Sequence, residues 1–129
     1  MRRGNAAVRC VQHISLRREK AFWGPGVAQL LHYIVQHKSL RAAAQQMNMS
    51  YSKAWKIIHE AEDALGFPLI ATISGGAKGG GSYLTAQGEN LLRAYDTMVA
   101  ELENAVQESY AVHIQPLLEQ NYHPDKGEI

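Results

Sequence analysis

Two short helical segments joined by a three-residue turn constrain the fold of this chain more than any other feature. Ser39 precedes LRAAAQQM, and Ser50 precedes YSKAWKIIHEAEDAL. Serine is a favoured helix N-cap, because its hydroxyl oxygen accepts a hydrogen bond from a free backbone N–H group. Asn48 and Gly66 follow the two segments, and both residue types tolerate the left-handed conformation in which helices often end. This pattern predicts a helix-turn-helix.

The flanking segments are expected to complete a winged domain. Residues 8–16 alternate loosely between apolar and polar side chains, which predicts a strand, and residues 21–23 are expected to form a second, short strand. The sequence GPG at 24–26 then opens a helix with an apolar stripe from Val27 to Val35. After Pro68, the sequences LIATI and SYLT predict a hairpin around a glycine-rich loop.

That loop holds five glycines between Gly75 and Gly81, which raises the question of a nucleotide-binding loop. The phosphate-binding pattern G-x-x-x-x-G-K-[ST] needs a lysine where Gly81 stands, and Lys78 lies three residues too early. A flexible wing tip therefore explains the glycines better. Lys78 at the tip could enter a minor groove or hold its phosphates, and direct binding of an oxyanion at this loop stays open as an alternative.

The second helix of the pair has two chemically different faces. Its inward stripe, with spacings of four, three and four residues, consists of Ala54, Ile58, Ala61 and Leu65. The outward positions mix hydroxyl, cationic and aromatic groups: Tyr51, Ser52, Lys53, Trp55, Lys56 and His59. Such a face suits a polyanionic groove, and a solvated helix face is the alternative interpretation. Trp55 is expected to pack against the wing base or the first helix.

These considerations give a set of candidate DNA-binding residues. Arg41 is included because a guanidinium at the start of the preceding helix can hold phosphate. The full set is Ser39, Arg41, Ser50, Tyr51, Ser52, Lys53, Lys56 and Lys78. Charge supports it: residues 1–60 hold ten Lys/Arg against two Glu, a balance of +8, whereas residues 61–129 hold three against ten acidic residues, a balance of −7.

A long helix capped by Thr85 is expected to make the protein a homodimer. Its apolar positions repeat at four-three spacing, which needs a partner helix. The candidate dimerisation residues are Leu91, Tyr95, Met98, Leu102 and Val106. The predicted division is a winged helix-turn-helix domain at 1–84, the dimerisation helix at 85–112 and a partly ordered polar tail at 113–129, broken by prolines.

Composition argues against several other classes of protein. Cys10 is the single cysteine, no apolar stretch is long enough to span a bilayer, and the N-terminus resembles no secretory signal, so a cytoplasmic protein is expected. The six histidines lack zinc-like spacing, and no serine has a recognisable base. We therefore expect no enzyme, no metal and no cofactor.

Residues 23–95 resemble the N-terminal domain of the ModE-type molybdate-responsive transcriptional regulators. The matching motifs are GPG before the first helix, SLRAAA, the MSYxxAW recognition helix, and GGxxGGG followed by LTxxG. A more distant similarity is to the LysR-type helix-turn-helix. The resemblance implies DNA binding through the helix after Ser50 and the wing at Lys78, dimerisation through the helix after Thr85, and an N-terminal strand that joins the wing sheet.

Full-length members of that family carry C-terminal molybdate-binding domains, and the residues after the matching region are too few for one. We therefore expect a mainly α protein with a small β-sheet that lacks its own oxyanion sensor or is coupled to a separate sensor protein. Its expected function is sequence-specific, dimeric binding to an inverted repeat of double-stranded DNA in transcription regulation. A protein–protein adaptor built on the same scaffold is the alternative.

Overall fold

The computed structural model describes residues 7–73 and 81–121. In chain order the elements are β1 (Leu16–Arg17), β2 (Ala21–Trp23), α1 (Pro25–His37), α2 (Leu40–Gln46), α3 (Tyr51–Leu65), β3 (Ile70–Ile73), β4 (Gly81–Leu84), α4 (Ala86–His113) and α5 (Gln115–Asn121). The fold is mainly α, with two small antiparallel sheets and a long C-terminal helix, which confirms the predicted fold class.

The chain forms two compact units. One comprises His13–Thr97, and the other combines Met1–Gln12 with Met98–Ile129. The first unit contains the helix-turn-helix and the wing strands, and α4 contributes residues to both units. The predicted three-part division at residues 84 and 112 stays a prediction.

Polar caps define the ends of the helix-turn-helix as the sequence predicts. The hydroxyl oxygens of Ser39 and Ser50 accept hydrogen bonds from the backbone N–H groups of Ala42, at 3.0 Å, and Lys53, at 3.1 Å. Asn48 after α2 has φ 55°, and Gly66 after α3 has φ 85°. Asn48 donates its backbone N–H to Gln45, and Gly66 donates its own to Glu62. These bonds satisfy groups that helix ends leave free.

The three helices pack through small and branched side chains. The most deeply buried residues are Leu30, Leu31 and Ile34 of α1, Ala43 and Ala44 of α2, and Ala54, Ile58 and Ala61 of α3. Alanines let the helix backbones approach closely, and Ile58 fills the space that remains. The predicted stripe of α1 ends one residue early, because Val35 is 53% exposed.

The wing base is an antiparallel pair of β3 and β4. Its register runs from Ile70 opposite Leu84 to Ile73 opposite Gly81, as expected for a hairpin. Ser82 donates its backbone N–H to the Lys38 carbonyl at 3.0 Å, which attaches β4 to the end of α1. The loop at 74–80, including Lys78, lies outside the described residues.

The N-terminal segment was expected to form a strand at residues 8–16 and to join the wing sheet, and it does neither. Residues 7–15 form no strand, and the two-residue β1 pairs with β2 in a sheet separate from the wing. Part of the backbone of this segment bonds instead to side chains of α4. The Ile14 carbonyl accepts a hydrogen bond from the Tyr95 hydroxyl at 2.7 Å, and the Cys10 carbonyl accepts one from the Gln107 amide at 2.8 Å. The prediction that this strand joins the wing sheet was wrong.

The start of α4 completes the core of the His13–Thr97 unit. Thr85 accepts a hydrogen bond from Gly88 N–H at 2.9 Å, which confirms it as the N-cap, and its hydroxyl donates to the Pro68 carbonyl at 2.7 Å. Tyr95 packs edge-on against Trp23, with ring centroids 5.6 Å apart. Burial, with a smaller effect of the Asp96 charge, raises the pKa of the Tyr95 phenol, so this hydroxyl stays a proton donor.

The predicted polar tail begins with ordered structure. α4 extends to His113, and α5 follows at Gln115–Asn121. Pro116 lies in the first turn of α5, where proline is tolerated because its missing N–H would have no helical partner. Proline here therefore helps to start a helix. None of the described helices is both long and apolar enough to cross a membrane.

Candidate nucleic-acid interface

The exposed face of α3 is positioned by the buried face of the same helix. Ala54, Ile58 and Ala61 are inaccessible, so the helix cannot rotate without losing its core contacts. Tyr51, Ser52 and Lys56 are exposed on the same helix. Three predicted DNA-binding residues therefore lie close together on the first two turns of α3.

Two predicted site residues, Ser39 and Ser50, have a structural role. Their hydroxyl oxygens already accept the capping bonds of α2 and α3. A hydroxyl can still donate one hydrogen bond while it accepts, so each can donate to a phosphate oxygen. Ser50 is exposed and Ser39 is half-buried, which favours Ser50 for such a contact.

Arg41 and Tyr51 form the most defined polar group of the candidate interface. The Arg41 guanidinium lies over the Tyr51 ring at 4.5 Å from its centroid, a cation–π contact worth about 0.5–1 kcal/mol at an exposed site. This contact links α2 to α3 and holds the charge in place. The guanidinium keeps N–H groups for an anion, because the ring occupies only its face.

A polar concavity of about 280 Å³ adjoins this pair. It is lined by the beginning of α2, the beginning of α3 and the ends of the wing strands, with Ser39, Leu40, Arg41, Tyr51, Thr72, Ile73, Gly81 and Ser82. It thus joins three predicted residues to the wing base. Thr72 also lines the concavity but was not among the residues predicted from the sequence. Its position just before the glycine-rich loop could have identified it.

The two lysines of α3 occupy different positions. Lys56 belongs to the exposed face, and its ammonium lies 4.0 Å from the Glu60 carboxylate in a weak, solvated pair. Successive residues of a helix are rotated by about 100°, which places Lys53 on the same flank as Ile57 and Glu60. Those two residues line a cleft of about 710 Å³ beside the β1–β2 hairpin. The exposed face of α3 therefore includes Lys56 more directly than Lys53.

Trp55 departs from its expected environment. Its side chain is 47% exposed instead of packed against the wing base or α1, so that prediction was wrong. Its indole stacks on the His59 ring, with centroids 3.7 Å apart and an interplanar angle of 16°. The i, i+4 spacing brings the two rings together on the surface of α3, where neither needs the wing for support.

A histidine–carboxylate pair lies outside the exposed face of α3. His32 of α1 contacts the Asp96 carboxylate at 2.7 Å, which attaches α1 to the beginning of α4. Within residues 7–73 and 81–121, no three His, Cys, Asp or Glu side chains are grouped so that they could hold a metal ion.

The predicted dimerisation residues differ in how far the chain itself buries them. Tyr95 is 5% exposed and belongs to the core of its own unit, which removes it from any dimer surface. Leu91 and Val106 are half-buried, whereas Met98 and Leu102 are exposed at 36% and 38%. An apolar surface on α4 therefore starts beyond the residues that pack in the winged unit.

Comparisons with known proteins agree with this architecture. Residues 27–89 match the family model described as bacterial regulatory helix-turn-helix protein, lysR family. The match covers α1 from Val27 onward, then α2, α3, β3, β4 and the first turn of α4.

Several curated proteins are similar in sequence. The molybdenum-pterin-binding protein MopB of Rhodobacter capsulatus is 35% identical over 92 residues, which are 71% of this chain and 34% of MopB. The DNA-binding transcriptional dual regulator ModE of Escherichia coli K12 is 32% identical over 81 residues, 63% of this chain and 31% of ModE. The transcriptional regulator ModE of Haemophilus influenzae is 33% identical over 88 residues, 68% of this chain and 34% of its own length.

The chain thus spans about a third of the length of these relatives. The crystal structure of ArgP from Mycobacterium tuberculosis is also similar, with a TM-score of 0.49 and 24% sequence identity, over 68% of this chain and 31% of that chain. The family match and the curated relatives confirm the resemblance seen in the motifs. Residues 27–89 are similar to the helix-turn-helix domain of the bacterial LysR family, and the chain is similar in sequence to the ModE and MopB proteins.

Proposed function

We propose that this protein is a sequence-specific, DNA-binding transcriptional regulator that binds an inverted-repeat site as a homodimer. One observation carries the proposal: a helix-turn-helix whose second helix is held by a buried face and exposes Tyr51, Ser52 and Lys56 beside the Arg41–Tyr51 pair. The family match supports the DNA-binding part, since helix-turn-helix proteins place their second helix in the major groove.

In this proposal α3 enters the major groove with its N-terminal turns toward the base edges. Lys56 is placed for a phosphate or a guanine edge, and Ser52 for a hydrogen bond to a base. Arg41 takes a backbone phosphate at the polar concavity, where its guanidinium is already oriented by Tyr51. Lys78, which lies outside the described residues, would extend the contact surface along the wing.

The homodimer of this proposal forms through α4. Met98 and Leu102 are exposed one helical turn apart, and Val106 continues the line. A partner helix would bury these side chains, as heptad-spaced apolar residues require. Twofold symmetry would then present two α3 helices to half-sites about 34–36 Å apart, one turn of duplex DNA.

Some of the similar proteins are named for molybdenum, among them the molybdenum-pterin-binding protein MopB and the molybdenum transport protein ModE of Azotobacter vinelandii. We extend the proposal to a role in the cytoplasm in molybdenum-related gene regulation, with the effector sensed by a separate protein. Calorimetric titration with molybdate tests this extension, because it predicts no heat from this chain alone.

Selection of binding sites from random duplex DNA, followed by affinity measurement at several salt concentrations, tests the main proposal. A twofold-symmetric consensus is expected, and the logarithm of the binding constant should fall linearly with the logarithm of salt concentration, since Lys and Arg release counterions from phosphates. Arg41→Ala should lower the affinity for all sequences and reduce the salt slope by about one unit.

Lys20→Ala provides the matched control, because Lys20 is an exposed cation in the turn between β1 and β2. Its removal changes the net charge as Arg41→Ala does and should leave the selected site and the salt slope unchanged. A salt slope near zero for the wild type, or equal losses for both variants, contradicts the proposal.

A further inference from the structure

Trp55 is a large aromatic side chain left half-exposed at the centre of the exposed face of α3. It lies one turn beyond Tyr51 and next to Lys56, both of which belong to the face that we propose to enter the major groove. An indole in this position adds apolar surface to a contact region that is otherwise cationic and hydroxylated. An exposure of 47% leaves about half of the side-chain surface open to a binding partner.

The indole is held in one orientation by His59. The two rings stack at 3.7 Å, and His59 Nδ1 lies 2.9 Å from the Trp55 carbonyl oxygen, a distance at which the ring N–H donates to that carbonyl. The other ring nitrogen lies 3.8 Å from the Glu62 carboxylate. Glu62 in turn accepts the backbone N–H groups of Leu69 and Ile70 at 2.7 and 3.2 Å.

This chain of contacts runs from the wing base through Glu62 and His59 to Trp55. A side chain held in this way loses little conformational freedom on binding, so its contacts contribute more to specificity than those of a mobile lysine. The free edge and the unstacked face of the indole are available to a partner.

The major groove offers one apolar group to such a ring, the C5-methyl of thymine. The remaining groove edges are hydrogen-bond donors and acceptors, which suit Ser52 and Lys56 better than an indole. We propose that Trp55 is a specificity-determining residue that contacts a thymine methyl group in each half-site, and that His59 is its positioning residue. This inference rests on the proposed function.

Uracil substitution in the selected site removes only the methyl group and therefore tests the contact. Each thymine of a half-site is replaced in turn by deoxyuridine, and the affinity of wild-type protein is compared with that of Trp55→Ala. One position should lose about four-fold in affinity with the wild type, the factor for exposing one methyl-sized group to water. With Trp55→Ala the same replacement should have no effect.

Two further measurements sharpen the test. Replacing the same position by 5-methylcytosine, paired with guanine, keeps the methyl and should retain more affinity than unmethylated cytosine with the wild type only. His59→Ala should weaken the uracil effect without removing it, because the indole then loses its stacking support. Lys20→Ala, which removes a cation in the turn between β1 and β2, should show the full wild-type effect.

The outcomes separate this inference from the proposed function. If the wild-type protein bound no DNA, the proposed function itself would be overturned. Strong, site-specific binding with a uracil effect that is equal in wild type and Trp55→Ala, or with no uracil effect at any thymine, would overturn the role of Trp55 alone. Thermal unfolding of Trp55→Ala at the wild-type temperature would show that its fold is intact.

Discussion

Gly88 lies where the first turn of α4 passes the end of β3. A Cβ atom at this position would be 2.3 Å from the carbonyl oxygen of Leu69, a distance that side-chain carbons do not adopt. Thr85, three residues earlier, bonds to the same segment of backbone through its N–H group and its hydroxyl. The LTxxG motif therefore encodes the close attachment of α4 to the wing base.

Replacing Gly88 by alanine should destabilise the protein by about 1–3 kcal/mol, because backbone must shift to accommodate the new methyl group. Urea-induced unfolding followed by circular dichroism measures this difference. Gly26→Ala is the control: a Cβ there meets nothing within 4 Å, so alanine should leave the stability unchanged or slightly raised. Equal stability of the two variants would contradict this role for Gly88.

Tyr95 gives the molecule a defined response to alkaline pH. Its pKa is raised in the folded state by burial and by the Asp96 charge. The folded state therefore holds the phenolic proton more tightly than the unfolded state does. The resulting stability is complete below the unfolded pKa of about 10 and is lost as pH rises through the folded pKa.

Tyr95→Phe should remove this part of the pH dependence while it also loses the hydrogen bond to Ile14. The free energy of unfolding of both proteins is measured from pH 8 to pH 11. Wild type should lose stability more steeply than the variant above about pH 10. Parallel curves would show that the Tyr95 phenol titrates equally in both states.

At the scale of elements, capping decides where α3 begins and therefore which side chains face outward. Ser50 holds the first turn through the Lys53 N–H, and Gly66 ends the helix with a left-handed residue. The turn between α2 and α3 has Asn48 at φ 55°, which places the two helices as a compact pair. The position of the exposed face thus depends on a few polar residues at helix ends.

Ser50→Ala should lower stability by about 1 kcal/mol, since it leaves an N–H group of α3 without its side-chain acceptor. Ser52→Ala removes a hydroxyl two residues later on the exposed face and should leave stability nearly unchanged. Thermal unfolding distinguishes the two. In the DNA-binding assay the order of effects should reverse if Ser52 contacts a base, with Ser52→Ala losing site preference.

At the scale of the whole molecule, the apolar residues of α4 beyond Thr97 are the proposed contact surface of a homodimer. Met98 and Leu102 are exposed, and the proposed homodimer would bury them. Leu102→Glu should therefore shift the protein from dimer to monomer and weaken binding to a two-half-site duplex far more than to a single half-site. Analytical ultracentrifugation and DNA binding together measure these changes.

Asn104→Glu adds the same charge at an exposed polar position on the same helix and serves as the control. It should leave both the dimer and the DNA affinity intact. A wild-type protein that sediments as a monomer at concentrations well above its DNA-binding range would contradict the dimer while leaving the helix-turn-helix assignment unchanged.

Local signals in the sequence determined α1 to α4, the N-caps of α2, α3 and α4, and the wing hairpin, because capping, helical periodicity and turn residues act within a few positions. They also identified Arg41, Tyr51 and Lys56 as exposed candidates. Tertiary structure decided the rest. Residues 8–16 alternate loosely like a strand, yet residues 7–15 form none. The Cys10 carbonyl instead accepts a hydrogen bond from the Gln107 side chain of α4, nearly a hundred positions away.

The same limit explains the errors for single side chains. Tyr95 fits the heptad pattern equally well on an inner or an outer surface, and its contacts with Trp23 and Ile14 placed it inside. Trp55 was predicted to be packed because it is a large aromatic residue, but it stacks on His59 at the surface of α3. Whether an apolar residue is covered depends on the residues that reach it across the fold, and sequence spacing along one element does not contain that information.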